Sequence, residues 1–449
     1  MIRPSALRAY DIRGEVGRDL DAEGARLLGG VYAALARERG LSRIGVSRDG
    51  RVTSPEFEAA LLDGLANGGL HVTRIGLGPT PQLAFAVRHL GLDGGVMVTA
   101  SHNPPRDNGF KLFLGAERLH GSALVDLMAR PPAIGGGGSV ATAEVTEAYV
   151  DKLLERAGKL RPLKVAWDCG NGATGPVVER LIPRLPGEHV LLHAVVDGRF
   201  PNHHPDPAVP ANLRDLQAAV VRHACDLGIA FDGDGDRIGA VDGSGAVIWA
   251  DQLLLLLARD LLRERPGSSV VADVKSSSVL FDGVAAAGGR PVMVPSGYVL
   301  VREAMRREGA LLGGELSGHI FYADRWDGTD DALYVAVRLL LALSGSERTL
   351  AEFRASLPAM ITTPEMRIGC PDERKGEVVA EVAERLRRAG ATVNDADGVR
   401  VSTPHGWWLL RASGTEPKIT CRCEAADEAG LERLMQQLRR ELRESGVSI

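Results

Sequence analysis

Asp232-Gly233-Asp234-Gly235-Asp236-Arg237 sets three carboxylates at alternate positions with glycines between them. The glycines let the backbone curl so that all three converge. Uncompensated, they would repel one another strongly, so a hard divalent cation is the natural partner. An EF-hand does not fit, because its sixth position is Arg237 and its twelfth is Gly243. Mg²⁺ suits best, since it prefers few carboxylates together with a phosphate oxygen. A second loop, Thr99-Ala100-Ser101-His102-Asn103-Pro104, follows the apolar run Val96-Met97-Val98. Asn-Pro stops the strand, and the Ser101 hydroxyl is left at a strand end, where open α/β sheets put their ligands.

Two further loops are unusually polar. Gly313-Gly314-Glu315-Leu316-Ser317-Gly318-His319 places Glu, Ser and His two residues apart. An extended segment would put these side chains on one face. The carboxylate and hydroxyl suit adjacent sugar hydroxyls, and His319 suits a proton or a phosphate. Arg411-Ala412-Ser413-Gly414-Thr415-Glu416-Pro417 lies between two predicted strands. Its arginine offers bidentate phosphate contacts and its hydroxyls and N–H groups an anion nest. A plain hairpin turn remains the alternative there.

Gly170-Asn171-Gly172-Ala173-Thr174-Gly175 follows a strand and precedes a helix opened by Pro176, with Asp197 downstream. By pattern this is a dinucleotide fingerprint, which would make the chain an NAD-dependent dehydrogenase. Hydride transfer gives no reason for the triple-Asp or Ser101 loops, so a tight strand–helix turn is the preferred reading. A Ser-His-Asp hydrolase is disfavoured because Ser101 lacks the G-x-S-x-G elbow.

What positions these loops is an alternation of short apolar strands with helical stretches such as 54–67, 251–264 and 299–308, the mark of βαβ units. A weak repeat is visible. Arg43-Ile-Gly-Val-Ser, Lys164-Val-Ala-Trp-Asp and Ser269-Val-Val-Ala-Asp each read as a first strand, and each is followed later by a second strand and a polar loop, 99–104, 232–237 or 315–319. Three diverged α/β domains aiming corresponding loops at one cleft are expected. After Pro358 alternating strands and an amphipathic helix at 427–445 predict a small α+β domain. The run 135–138, four glycines, is expected to be a flexible connection.

At 449 residues the chain exceeds a single core and suggests roughly three domains. It is 45% hydrophobic and 25% charged, with net charge -5, which argues against wholesale nucleic-acid binding. The strongest apolar run, 253–258, meets Arg259-Asp260 too early for a membrane span. The five cysteines include no C-x-x-C pair, and with no visible secretory signal they read as reduced, cytoplasmic thiols.

The four loops, in this order, resemble the α-D-phosphohexomutase family, especially its bacterial phosphomannomutase/phosphoglucomutase group. The resemblance also covers Arg8-Ala-Tyr-Asp-Ile-Arg-Gly14, Asn108-Gly-Phe-Lys111, Phe200-Pro-Asn-His-His-Pro-Asp206 and Asp273-Val-Lys275. It implies a heart-shaped arrangement around a central cleft: three similar α/β domains with mixed sheets, plus a C-terminal α+β domain. The domains would be 1–145 with the phosphoserine loop, 146–246 with the metal loop, 247–358 with the sugar loop and 359–449 with the phosphate loop. Ser101 would carry a phosphoryl group, and Ser101, Asp232, Asp234 and Asp236 would hold Mg²⁺. Lys111, His319 and Arg13 would be catalytic, with Lys111 and His319 handling protons. Glu315 and Ser317 would read sugar hydroxyls. Arg411, Ser413, Gly414 and Thr415 would bind the phosphate not being transferred, while Arg237, Lys275, Tyr298 and His319 would line the substrate.

The implied reaction interconverts hexose 1-phosphate and hexose 6-phosphate, of mannose or glucose, through a hexose 1,6-bisphosphate that also serves as activator. Its partner would be the phosphosugar alone, with neither nucleic acid nor membrane, and the enzyme would be a monomer or dimer. Two positions depart from the family pattern. Gly297-Tyr298 stands where many relatives have Gly-His, and Ser413-Gly414-Thr415 has the form common in phosphoglucosamine mutases. Phosphoglucosamine mutase is therefore the alternative reading.

Overall fold

The structure, a computed structural model, describes residues 1–447 other than Ala116, Arg156 and 414–416. The chain forms two compact units, Met1–Leu253 with Ser317–Ala351, and Leu254–Leu316 with Glu352–Ile449.

In the first unit, Arg43–Arg48 lies between two parallel neighbours, His71–Leu77 and Gly94–Val98. Asp107–Leu114 returns antiparallel to Gly94–Val98 and pairs in turn with Ile12–Glu15. Every residue of Gly94–Val98 is buried, as expected of an apolar strand inside a sheet covered on both faces. Helices Ala22–Glu38 and Ser54–Asn67 contribute Leu28, Val31, Phe57 and Leu61 to the core over this sheet. A second sheet has Leu163–Asp168 between parallel Gly187–Leu192 and Leu227–Phe231, with Ile238–Asp242 antiparallel beyond.

In the second unit, Ser269–Asp273 lies between parallel Arg290–Val294 and Leu312–Gly314. The expected repeat is thus present in the pairing. Three first strands occupy the same place in their sheets, and in each case the chemistry-bearing loop leaves the C-terminal end of a parallel neighbour, where α/β sheets bind ligands. The C-terminal sheet is antiparallel, with Gly406–Ala412 between Val399–Thr403 and Lys418–Ala425. Helices Asp372–Arg388 and Glu428–Glu444 close a core of Val382, Trp408, Leu410, Cys421 and Leu438.

Two expectations are corrected. Two of the glycines of 135–138 tie the run to the first domain rather than leaving it a free connection: Gly136 N donates to Asn67 O (2.8 Å) and Gly138 N to Ala66 O (3.0 Å). A Cβ on Gly138 would stand 2.2 Å from Leu70 O, so glycine here serves close backbone approach before strand Ser139–Thr142 joins the first sheet. The segment 315–319 is not extended either. Its strand ends at Gly314, 316–318 turn, and Gly318 has φ +98°. Alternation therefore does not set the directions of Glu315, Ser317 and His319.

Among the described residues no helix is long and apolar enough to cross a membrane, and all five cysteines are buried and free.

Helix Ala332–Ser344 begins at Asp331, whose side chain accepts from Tyr334 N at 2.9 Å and from the Tyr149 hydroxyl at 2.8 Å. Burial pushes the Asp331 carboxyl up to about 7. The unfolded chain releases this proton near pH 4 and the folded chain near pH 7, so stability falls as pH rises through that window. Asp331→Asn keeps an excellent cap without the charge. It is expected to be nearly neutral near pH 4 and to stabilise progressively toward pH 8, by at most about 4 kcal/mol, read as paired urea midpoints across pH.

Candidate active site

Ser101 has φ +50°, a conformation that L residues seldom adopt and that persists where the surroundings impose it. Arg51 imposes it. Its fully buried guanidinium donates to the carbonyls of Ser101 (2.7 Å), Asn103 (2.6 Å), Pro104 (2.7 Å) and Asp107 (2.9 Å). From within the loop, Ser101 N donates to Thr99 Oγ1 and Thr99 Oγ1 to Asp49 Oδ2, both at 2.8 Å. Arg13 approaches the same loop, with Nη1 3.2 Å from Asn103 Oδ1 while its Nε donates to Asp11.

The Ser101 hydroxyl donates to Asp232 Oδ2 at 2.6 Å and lies 3.0 Å from His102 Nδ1. Burial, with Arg237 and Arg13 nearby, holds the His102 imidazole well below its usual range, so it is neutral at pH 7. The acidic loop is built for convergence. Asp232 Oδ1 accepts from the backbone N–H of Gly235 (2.9 Å), Asp236 (3.1 Å) and Arg237 (3.2 Å). Lys111 reaches in from strand Asp107–Leu114 and pairs with both Asp234 (2.7 Å) and Asp236. Thr80, first in helix Thr80–His89, donates its hydroxyl to Asp234 Oδ2 at 2.5 Å.

Oxygens of Asp232, Asp234 and Asp236 lie within 4.8 Å of one another, and all three residues are buried. Burial, then the charges of Asp236 and Asp234, pushes the Asp232 carboxyl well above the usual range. Burial acts the same way on Asp234 and Asp236, but the Lys111 ammonium overcomes it and holds both below. Three carboxylates thus face one directly paired ammonium. Asp234 Oδ1 and Asp236 Oδ1 are buried without a hydrogen-bond partner among the described residues. This donor set fits a hard dication.

Next to it, Arg237 Nε donates to His319 Nε2 at 3.0 Å, which leaves Nδ1 as the proton-bearing nitrogen, 3.1 Å from Asp330 Oδ2. Burial would raise Asp330, but Arg118, at 2.9 Å, and His319 hold it well below the carboxylate range. Ser317 Oγ is buried with no hydrogen-bond partner among the described residues, and the turn that carries it is pinned by Ile238 N donating to Gly318 O (3.1 Å).

The second unit assembles another set. Glu315 Oε1 accepts from Gly297 N at 2.7 Å, immediately before buried Tyr298 opens helix Tyr298–Glu308. Asp397 accepts from Ser296 N (3.1 Å) and pairs with Arg411 Nε (2.9 Å). Lys275 pairs with Glu365 at 2.9 Å, and Ser413 O accepts from Lys375 Nζ at 2.6 Å. Gly414 and Thr415 lie outside the described residues.

Sequence reasoning missed Arg51, Thr80, Asp330, Arg118 and Asp397. Each acts on the named loops from a distant position, and an arginine or aspartate beside ordinary residues gives no local signal. The dinucleotide reading of 170–175 fails sterically. A Cβ on Gly172 would stand 2.8 Å from Gly233 O, and Ala173 N donates to that same oxygen (3.0 Å), so the acidic loop fills the space a pyrophosphate would need. Gly233 in turn backs the serine, since a Cβ there would meet Ser101 O at 2.4 Å. Gly233→Ala is expected to destabilise by about 1–3 kcal/mol and to lower turnover at least tenfold by displacing Ser101. Steady-state kinetics beside a thermal melt checks it.

Fold and site together define an α/β enzyme of phosphoryl-transfer type, and comparison with known proteins assigns the family. Models of phosphoglucomutase/phosphomannomutase match along the chain: α/β/α domain I at 5–120, domain II at 147–245, domain III at 249–360 and the C-terminal domain at 365–441. The chain belongs to the phosphoglucomutase/phosphomannomutase family. It is 40% identical to phosphomannomutase/phosphoglucomutase of Pseudomonas aeruginosa over 98% of this chain and 96% of that one. It is 41% identical to phosphoglucomutase of Neisseria gonorrhoeae over 96% and 95%. A family protein from Burkholderia thailandensis superposes with TM-score 0.93 at 38% identity, covering 99% of this chain and 98% of that one.

Proposed function

We propose that this chain is a phosphohexomutase, an isomerase that interconverts the 1- and 6-phosphates of glucose and mannose with Ser101 as phosphoryl carrier. The observation that carries the reading is the buried Ser101 hydroxyl, 2.6 Å from Asp232 in a cluster of three aspartates. Phosphoryl transfer asks a protein mainly for positioning and charge neutralisation. A phosphoserine brings about −1.5 to −2 charge at neutral pH, and Arg51, Lys111, Arg237 and Arg13 are cations that contact the Ser101 and acidic loops.

In the proposed cycle a sugar hydroxyl attacks the phosphorus of phospho-Ser101, its proton leaving to His319, and the bond to Ser101 Oγ breaks as the Lys111 ammonium supplies the proton that Oγ takes up. The resulting hexose 1,6-bisphosphate turns around, and its other phosphate returns to Ser101 Oγ. Asp330 holds the His319 ring for this work. Ser101, Asp232, Asp234 and Asp236 are the residues that would hold Mg²⁺, which when bound supplies neutralisation of the transferring group. Glu315 and Ser317 are assigned to sugar hydroxyls. Arg411, Ser413, Gly414 and Thr415 are assigned to the distal phosphate, and Lys275 and Tyr298 to further substrate contacts. Domain boundaries at 145, 246 and 358 and a cytoplasmic setting complete the reading, the latter supported by five free buried cysteines.

Relatives named for glucose and mannose favour hexose phosphates, whereas Ser413-Gly414-Thr415 favours glucosamine. Glucose 1-phosphate, mannose 1-phosphate and glucosamine 1-phosphate offered in parallel, with Mg²⁺ and a trace of bisphosphate, discriminate. Turnover of the first two is expected. Exclusive use of the third supports the alternative, and none on any of them overturns both.

A further inference from the structure

We propose that Asp168, His193 and His203 form a second metal site, for a transition-metal dication of the zinc type, separate from the acidic loop. One ring nitrogen of each histidine and one oxygen of Asp168 lie within 4.8 Å of one another. His203 Nε2 stands 2.9 Å from Asp168 Oδ2. Its Nδ1 is 3.0 Å from the carbonyl of His204, which accepts the Nδ1 proton, and the proton held between Nε2 and Asp168 Oδ2 is the one a metal ion would displace. Metal-binding histidines are characteristically oriented by such a carbonyl.

His193 is held with equal care. Its backbone has φ +51°, its carbonyl accepts from Asn171 N at 2.8 Å, and its Nε2 lies 3.1 Å from Asp215 Oδ2. Asp215 thereby orients the His193 ring. The two imidazoles meet edge to face, 5.3 Å between centroids.

The donor chemistry selects the ion. Two imidazoles and a carboxylate suit zinc and its neighbours, whereas the all-oxygen acidic loop suits magnesium. Ligand bonds of 2.0–2.1 Å in a tetrahedron put donors roughly 3.3 Å apart. The His203–Asp168 pair must open slightly and His193 must close, which are side-chain movements. Access is adequate: the His193 and His203 side chains are 18% and 13% exposed, while Asp168 is fully buried beneath them. Ions bound here would clamp the end of strand Leu163–Asp168, the turn that donates Ala173 N–H to Gly233 O, and the loop around His203. The site therefore stiffens the seat of the acidic loop without touching its carboxylates. The competing account is a plain His203–Asp168 ion pair with His193 packed against it.

The test titrates the full chain with Co²⁺ in excess Mg²⁺, which occupies the all-oxygen loop, and follows the visible ligand-field absorption. Zn²⁺ is titrated calorimetrically alongside. One equivalent is expected to bind the parent and to raise Tm by mass action. His193→Ala and His203→Ala should each lose at least tenfold in affinity. His203→Gln, which retains a polar side chain for folding, should lose as much with unchanged circular dichroism. No binding by the parent, or undiminished binding by the folded His203→Gln variant, overturns the proposal. Binding that disappears instead in Asp234→Asn does so too, because it places the ion on the acidic loop.

Discussion

Ser101→Ala is expected to lower phosphohexose turnover by roughly a thousandfold or more, because it removes the atom proposed to carry the phosphoryl group. The fold should survive. The substitution deletes one hydroxyl whose partners are Asp232 and His102, and the loop conformation is held by Arg51 through backbone carbonyls. Asp232 keeps three backbone donors on its other oxygen. A net cost of about 1 kcal/mol is therefore the scale for the lost hydrogen bond. Paired measurement of kcat and the urea midpoint separates the outcomes: a large fall in kcat with a nearly parental midpoint is expected. Near-parental kcat would show that another group carries the phosphoryl.

Arg51→Met is expected to damage both folding and activity. The side chain is among the largest fully buried groups, and its guanidinium satisfies the carbonyls of Ser101, Asn103, Pro104 and Asp107 while lying 3.2 Å from Asp49. Methionine has similar bulk and no donors, so it removes a donor from each of these carbonyls and leaves the buried Asp49 charge without its counter-ion. Removing one partner of a buried pair costs about 3–5 kcal/mol, and the released Ser101 would leave its left-handed conformation. Arg51→Lys restores the charge but not the planar fork of donors, so it should recover part of the stability and little of the turnover. Equal recovery of both would mean that charge alone matters at this position.

The sequence made the architecture readable where one local rule sufficed. Apolar runs such as Val96-Met97-Val98 and Leu227-Gly-Ile-Ala-Phe end in polar loops, and both became strands whose C-terminal ends carry Ser101 and Asp232. Asp-Gly-Asp-Gly-Asp announced convergence because glycine spacing and repelling charges leave few other reasons for it. Long-range partners gave no such sign. Thr80 meets Asp234 from 154 positions away, and Asp330 reaches His319 through a turn that Gly318 permits at φ +98°. Gly135–138 looked like a linker because composition does not reveal whether a missing Cβ serves flexibility or close approach. The extended reading of 315–319 failed for a related reason: Gly314 ends the strand, and the backbone turns where alternation was assumed.

The central claim is that Ser101 carries the phosphoryl group, and it is tested most directly by locating phosphate on the protein. Purified chain incubated with Mg²⁺ and isotopically labelled glucose 1,6-bisphosphate should yield labelled phosphate on the peptide containing Ser101. Tandem mass spectrometry should assign it to that side chain, and unlabelled hexose phosphate should chase it into bisphosphate. Label on another residue, or label on Ser101 that cannot be chased into sugar, would contradict the account.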